Sequence, residues 1–175
     1  MSDLLLFAGG SLERLSRACF AAGTLVHTKE GLKPIEEICV GDWVLSYPDD
    51  QVPPLRLREE AEYAYRQVVQ TFVYDDKPVC EVSVINFGRN SEEFFKVTPD
   101  HPFCIKNEGW LPAGTLNCRK AVYNQNFTNS MIGEVIDNGE RSRVYSFEVD
   151  EFHTYYVGEA GVWVHNACGA VKSLS

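Results

Sequence analysis

Short runs rich in Val, Phe, Tyr and Thr recur along the chain and are cut by Gly, Pro, Asn and Asp. This is the pattern of an all-β fold built from many short strands. Strands are predicted over 24–28, 43–47, 67–75, 79–86, 93–98, 103–106, 131–136, 143–149, 153–158 and 161–165. In the run from Val79 to Val84, Cys80 alternates as a strand residue does. Pro34-Ile-Glu-Glu-Ile38 reads as a short helical turn with proline at its first position, after which Gly41-Asp42 turns the chain into Trp43–Tyr47. Residues 54–66 are the only stretch of good helix formers long enough for a helix, and 51–66 are expected to form a peripheral excursion. A short amphipathic helix is predicted over 3–17. A faint echo between 77–84 and 142–149 suits a fold of two similar halves.

With 175 residues the chain predicts one domain with a proper core. Its 45% hydrophobic and 23% charged content is that of a soluble globular protein and excludes a disordered or collagen-like chain. Twenty-five acidic against sixteen basic residues give a net charge of −9, with no Lys/Arg block, so nucleic acid is not an expected partner. The longest apolar run, Leu4 to Ala8, is far short of the roughly 20 residues that span a bilayer, so no membrane is expected, and it lacks the leader of a signal peptide. Six cysteines lie far apart at 19, 39, 80, 104, 118 and 168, without a C-x-x-C pair or zinc-finger spacing to any histidine; no metal site and no cofactor are expected. Cys39, Cys80, Cys104 and Cys118 read as ordinary core or surface residues.

Three local features carry chemistry. Ala18-Cys19-Phe20-Ala21-Ala22-Gly23-Thr24 sets a thiol among small residues directly before a strand. Thr98-Pro99-Asp100-His101-Pro102-Phe103 presents Thr and His three apart at a strand end, and Gly161-Val-Trp-Val-His165-Asn166-Ala167 ends a strand in His-Asn. Each is weak by itself. In this order and at these positions they resemble the Hint superfamily: inteins, hedgehog autoprocessing domains and bacterial intein-like domains. The flanking phrases Val40-Gly-Asp-Trp-Val-Leu-Ser46, Gly109-Trp-Leu-Pro-Ala-Gly-Thr-Leu116, Val144-Tyr-Ser-Phe-Glu-Val149 and His153-Thr-Tyr-Tyr-Val157 extend the likeness. The closing segments are most similar to the pretoxin Hint domains that precede toxin modules in bacterial polymorphic toxins.

The resemblance implies a horseshoe-like Hint fold with pseudo-two-fold halves, with a flanking segment at 1–18, an autoprocessing domain at 19–166 and a second flank at 167–175. It implies that the Cys19 thiol attacks the Ala18 carbonyl to form a thioester. His101 would protonate the departing amine, and Thr98 would donate a hydrogen bond to the developing charge. Asp100 is an auxiliary residue. Downstream, the Asn166 side-chain amide would attack its own carbonyl and free the Ala167 amine, assisted by His153 and His165. Cys19 and Asn166 should lie on neighbouring central strands, with His101 beside Cys19.

Two departures from the splicing pattern shape the expectation. Ala167 stands where splicing needs a nucleophile, with Cys168 one residue late, and Ser146 stands where the closing block usually carries an acid. A hydroxyl can hydrogen-bond but cannot act as a carboxylate base. The leading expectation is a monomeric, single-turnover, self-cleaving domain acting in cis on its own flanking polypeptide and releasing a downstream toxin module, within a secreted or exported bacterial precursor. A splicing intein, an inert Hint spacer and, last, a hedgehog-like lipid transferase are the alternatives.

Overall fold

The computed structural model describes residues 18–53, 65–125 and 129–166. Ala18 and Cys19 lead directly into the two-residue strand β1 (Phe20–Ala21), which is followed by the hairpin β2 (Leu25–Thr28) and β3 (Gly31–Pro34) and by β4 (Trp43–Leu45). A long ribbon strand, β5 (Tyr65–Pro78), then pairs along its length with β12 (Arg141–Val149). Between them come β6 (Cys80–Asn86), β7 (Ser91–Val97), β8 (Pro102–Ile105), β9 (Gly109–Pro112), β10 (Ala121–Val122) and β11 (Ser130–Ile136). The hairpin β13 (Thr154–Val157) and β14 (Val162–His165) closes the order. All fourteen strands share one sheet, in the order β10-β11-β6-β7-β1-β12-β5-β4-β2-β13-β14-β8-β9 with β3 on β2. Short 3-10 turns occupy Ile35–Glu37 and Ala113–Thr115. The chain is all-β, as its residue pattern predicts.

β8, β13 and β14 are buried along their whole length because both of their faces meet core. On β13 the alternation of side chains sends Tyr155 into the main cluster, with Phe20, Phe103 and Phe147, and Tyr156 into a second one, with Leu45, Cys104 and Trp163. Trp163 stacks its centroid 4.5 Å from Trp110. Two apolar faces therefore clamp the hairpin that ends in His165 and Asn166, which fixes the position of those residues far more tightly than a loop could.

Between β13 and β14 the turn is tied down from three sides. The Glu93 carboxylate accepts the amides of Glu159 (2.6 Å) and Ala160 (3.1 Å), Gly158 donates to the Leu25 carbonyl (2.8 Å), and the Gly158 carbonyl lies 2.6 Å from His27 Nε2. Gly158 has φ +77°, and a Cβ there would come within 2.7 Å of the Phe95 ring. Gly158→Ala should cost about 2 kcal/mol or more, because left-handed strain and steric overlap add. Gly139→Ala, at φ +80° with nothing within 4 Å, should cost only the conformational part, about 1 kcal/mol. Urea midpoints of the two variants check the difference; equal losses would remove the steric component.

Some local expectations change. Tyr65 and Arg66, predicted to close a helix over 54–66, instead open β5, paired to Leu45 and Val44; a cross-strand partner outweighs the small helix propensity of these residues. Residues 54–64 and the helix predicted over 3–17 lie outside the described residues. Pro34 is not the first helical residue: it is extended (φ −59°, ψ 142°) and ends β3 opposite Leu25, so the turn begins at Ile35. Cys19 and Asn166 are not on neighbouring strands either. β1 lies between β7 and β12, and β14 lies between β13 and β8. The turn from Thr98 to His101 instead links β7, which flanks β1, to β8, which flanks β14.

Candidate active site

Ala18 and Cys19 are buried, at 0% and 1% exposure. The Cys19 amide donates to the Thr98 hydroxyl (3.1 Å), and the Thr98 amide donates back to the Cys19 carbonyl (3.0 Å). The Thr98 hydroxyl, expected as a donor to a developing charge, thus accepts from the Cys19 nitrogen. It holds that nitrogen because Val97 pairs with Phe20, which sets Thr98 opposite Cys19. The Thr98 carbonyl then accepts the His101 amide (3.0 Å), so one tight turn carries both side chains. A cavity of about 210 Å³ opens over Cys19, lined by Tyr74, Lys77, Pro78, Thr98, Pro99 and Asp100.

His101 is fully buried, with its ring 4.3 Å from Phe20 and 6.4 Å from Tyr155 by centroid. Among the described residues neither ring nitrogen has a hydrogen-bond partner within ordinary geometry, the Cys19 main chain being a polar influence on the ring. Burial drives its pKa down to about 3, and charge repulsion from His165 adds to this, while the Cys19 main chain pulls weakly the other way. His101 is therefore neutral at physiological pH. Unfolding restores a pKa near 6.5, so between pH 6.5 and 3 the unfolded chain binds a proton that the folded one refuses. Stability should fall with acidification across that window, by up to about 1.4 kcal/mol per pH unit, and be unaffected by this group above it. Urea midpoints between pH 7 and 4 should be flatter for His101→Gln than for the parent chain, and identical slopes would refute the assignment.

Ser146 lies one step beyond the Phe20–Tyr145 pair in the β1–β12 register, which places it across from Cys19. It is buried, and its hydroxyl has no hydrogen-bond partner among the described residues. So the position where an acid was expected by resemblance does face the thiol's residue, with a hydroxyl in place. The Tyr155 hydroxyl is likewise buried and without a partner among the described residues. Burial raises its pKa well above the usual value, and Cys19 adds to that.

At the downstream end, Thr154 pairs with His165 across the β13–β14 hairpin, and the Asn166 amide donates to the His153 carbonyl (2.9 Å). His153 holds φ +61°, so the chain turns sharply just before β13 and offers that carbonyl inward. The His153 and His165 rings lie 6.3 Å apart. Asn166 is 3% exposed, and its side-chain nitrogen has no hydrogen-bond partner among the described residues. His165 is buried with its ring 5.2 Å from Trp110, and its Nε2 lies 3.0 Å from the Asp49 carboxylate. Ala167 and Cys168 lie outside the described residues.

The expected residues therefore gather. Thr98 and His101 touch Cys19 or its neighbour Phe20, His101 packs near Phe103, which pairs with Val164 on β14, and His165, His153 and Asn166 adjoin one another. Asp100 lines the cavity over Cys19 with one carboxylate oxygen buried and unpartnered. Asp49 and Tyr155 were not foreseen. Pro48-Asp49-Asp50 carries only the signal of a turn, and Tyr155 looks like any strand aromatic. Among the described residues no group of three His, Cys, Asp or Glu could hold a metal ion. All five described cysteines are free thiols, Cys39 and Cys118 being exposed.

A family model described as pretoxin Hint domain matches residues 25–167. Among solved structures, the chain is similar to a bacterial intein-like domain from Clostridium thermocellum at 31% identity and a TM-score of 0.66, covering 85% of this chain and 98% of that one. A DnaB intein from Synechocystis sp. PCC 6803 matches at 15% identity and a TM-score of 0.64, over 85% and 98% of the two chains. The gp41-1 intein matches at 20% identity and a TM-score of 0.63, again over 85% and 98%; these two likenesses establish the fold alone. A search of curated proteins finds no match.

Proposed function

This chain belongs to the pretoxin Hint domain family, and from that premise we propose that it is a self-cleaving domain that releases the polypeptide following Asn166. Its fold is that of autoprocessing and splicing domains. The observation that carries the reading is the Asn166 carboxamide: buried, its nitrogen without a partner among the described residues, and its main-chain amide held by the His153 carbonyl beside His165. An amide nitrogen is a poor nucleophile, and removal of competing hydrogen bonds together with fixed orientation is what such a group needs. In the step, the Asn166 side-chain nitrogen bonds to its own backbone carbon, and the bond to the Ala167 nitrogen breaks. The proton lost by the carboxamide ends on the Ala167 amine, with His165 and His153 as carriers. The products are a C-terminal succinimide and a new N-terminus at Ala167.

A second step is supported by the Cys19 contacts. The thiol would attack the Ala18 carbonyl, form a thioester and free the Cys19 amine. His101, neutral because it is buried, first takes the thiol proton as base and then delivers it to the departing nitrogen as acid. The Thr98 hydroxyl holds that nitrogen in place. Ala167 offers no side chain to accept the acyl group, so cleavage replaces splicing in this reading. By analogy with the pretoxin family, the cargo is a fused toxin domain in the same polypeptide, and the domain acts once, in cis, as a monomer.

Mass spectrometry of a chain tagged at both ends tests the proposal. It predicts a fragment beginning at Ala167 that accumulates over hours. A ligated product joining residues 18 and 167 would establish splicing instead, and persistent intact mass would leave an inert Hint spacer.

A further inference from the structure

We propose that Asp49 is a positioning residue for the downstream cleavage, selecting the tautomer of His165 through a buried carboxylate–imidazole pair. The inference rests on the proposed Asn166 step. Asp49 Oδ2 lies 3.0 Å from His165 Nε2, and the side chains are only 8% and 7% exposed. Two residues 116 apart in sequence do not meet in a buried place by chance; the loop that carries Asp49 is fastened at several points. Its Ser46 hydroxyl donates to the Thr154 carbonyl (2.7 Å), and the Tyr47 amide donates to the Thr154 hydroxyl (3.1 Å), which in turn donates to the Tyr47 carbonyl. The Trp110 indole N–H donates to the Asp49 carbonyl (2.9 Å), and the same Trp110 ring packs edge-on against His165. Thr154 is the register partner of His165. These fastenings of the loop are thus made to Thr154 and Trp110, which also frame His165.

The chemical consequence follows from the two ring nitrogens. A carboxylate only accepts hydrogen bonds, so Nε2 must carry the proton that it donates to Asp49. Nδ1 then becomes the basic nitrogen, and it is the one nearer to the main chain of His165 and hence to Asn166. When Nδ1 takes the proton lost by the Asn166 carboxamide, the ring becomes an imidazolium, and the adjacent carboxylate offsets the positive charge inside a low-dielectric site. The proton passes on to the Ala167 nitrogen as the peptide bond breaks, and His165 returns to its starting tautomer. No co-reactant is consumed, and Asp49 stays ionised throughout. His153 and His101 also bear on this ring, but neither brings a negative charge.

Two measurements on the full chain decide the matter. In the uncleavable Asn166→Ala background, long-range 1H–15N spectra of the His165 ring should show the Nε2–H tautomer, and Asp49→Asn should populate the Nδ1–H form. A dominant Nδ1–H form with Asp49 in place would overturn the proposal. In chains that retain Asn166, Asp49→Asn should slow release of the Ala167 fragment by at least about 10-fold, while Asp49→Glu should recover part of the loss. The Asn substitution should have no further effect once His165 is changed to Ala. Full additivity of the two losses, or unchanged cleavage in Asp49→Asn, would reduce Asp49 to a structural role. If the parent chain releases no fragment at all, the self-cleavage reading fails, and the tautomer spectra alone still judge the pairing.

Discussion

Asn166→Ala is expected to abolish release of the Ala167 fragment, by at least about 1,000-fold in rate, because the substitution removes the nucleophile and not merely its setting. The fold should survive. The lost carboxamide nitrogen makes no hydrogen bond among the described residues, and the main-chain amide that anchors position 166 to the His153 carbonyl is retained. Any change in urea midpoint should therefore stay within about 1–2 kcal/mol. The measurement is intact mass of the doubly tagged chain over hours, and appearance of the same fragment from Asn166→Ala would defeat cyclisation as the route. His165→Ala should give a smaller loss, of about 10²–10⁴-fold, since it removes a proton carrier and leaves the attacking group in place.

Cys19→Ala is expected to separate the two junctions. Hydroxylamine or added thiol should cleave the parent chain before Cys19, because a thioester exchanges readily with either, and the Ala variant should show none of that product. Downstream release should continue within a few-fold, since the Asn166 step uses its own carboxamide with His153 and His165 and consumes no thiol. Cys19 packs with Val79 and Val144, so the truncation should cost on the order of 1 kcal/mol, a loss the fold can absorb. Loss of both cleavages in Cys19→Ala would show that the downstream step waits on the upstream one. Thiol-induced cleavage before residue 19 in the variant would dismiss the thioester.

Much of the architecture is legible in the residue pattern. Long or strongly patterned strands such as β6, β7, β11, β12 and the β13–β14 hairpin follow from runs of β-branched and aromatic residues between turn formers. The short strands β1, β3, β9 and β10 were missed, because two to four residues hold too little pattern and owe their state to a partner strand. Tyr65 and Arg66 show the same effect in reverse: at the end of a stretch of good helix formers, they are claimed by pairing with β4.

For the site, three local features read together, through their resemblance to the Hint superfamily, supplied the candidate list: a thiol before a strand, Thr and His three apart, and a terminal His-Asn. Reactivity is a property of particular side chains, and those are written in the order of the chain. Only the tertiary structure decided their condition. Burial in the core makes His101 neutral. The register of β1 against β7 and β12 brings the Thr98 hydroxyl to the Cys19 nitrogen and puts Ser146 across from Cys19. Asp49 reaches His165 because Thr154 and Trp110 hold its loop there. Those contacts join residues remote along the polypeptide, and no local pattern encodes which distant groups a folded sheet will bring within 3 Å of each other.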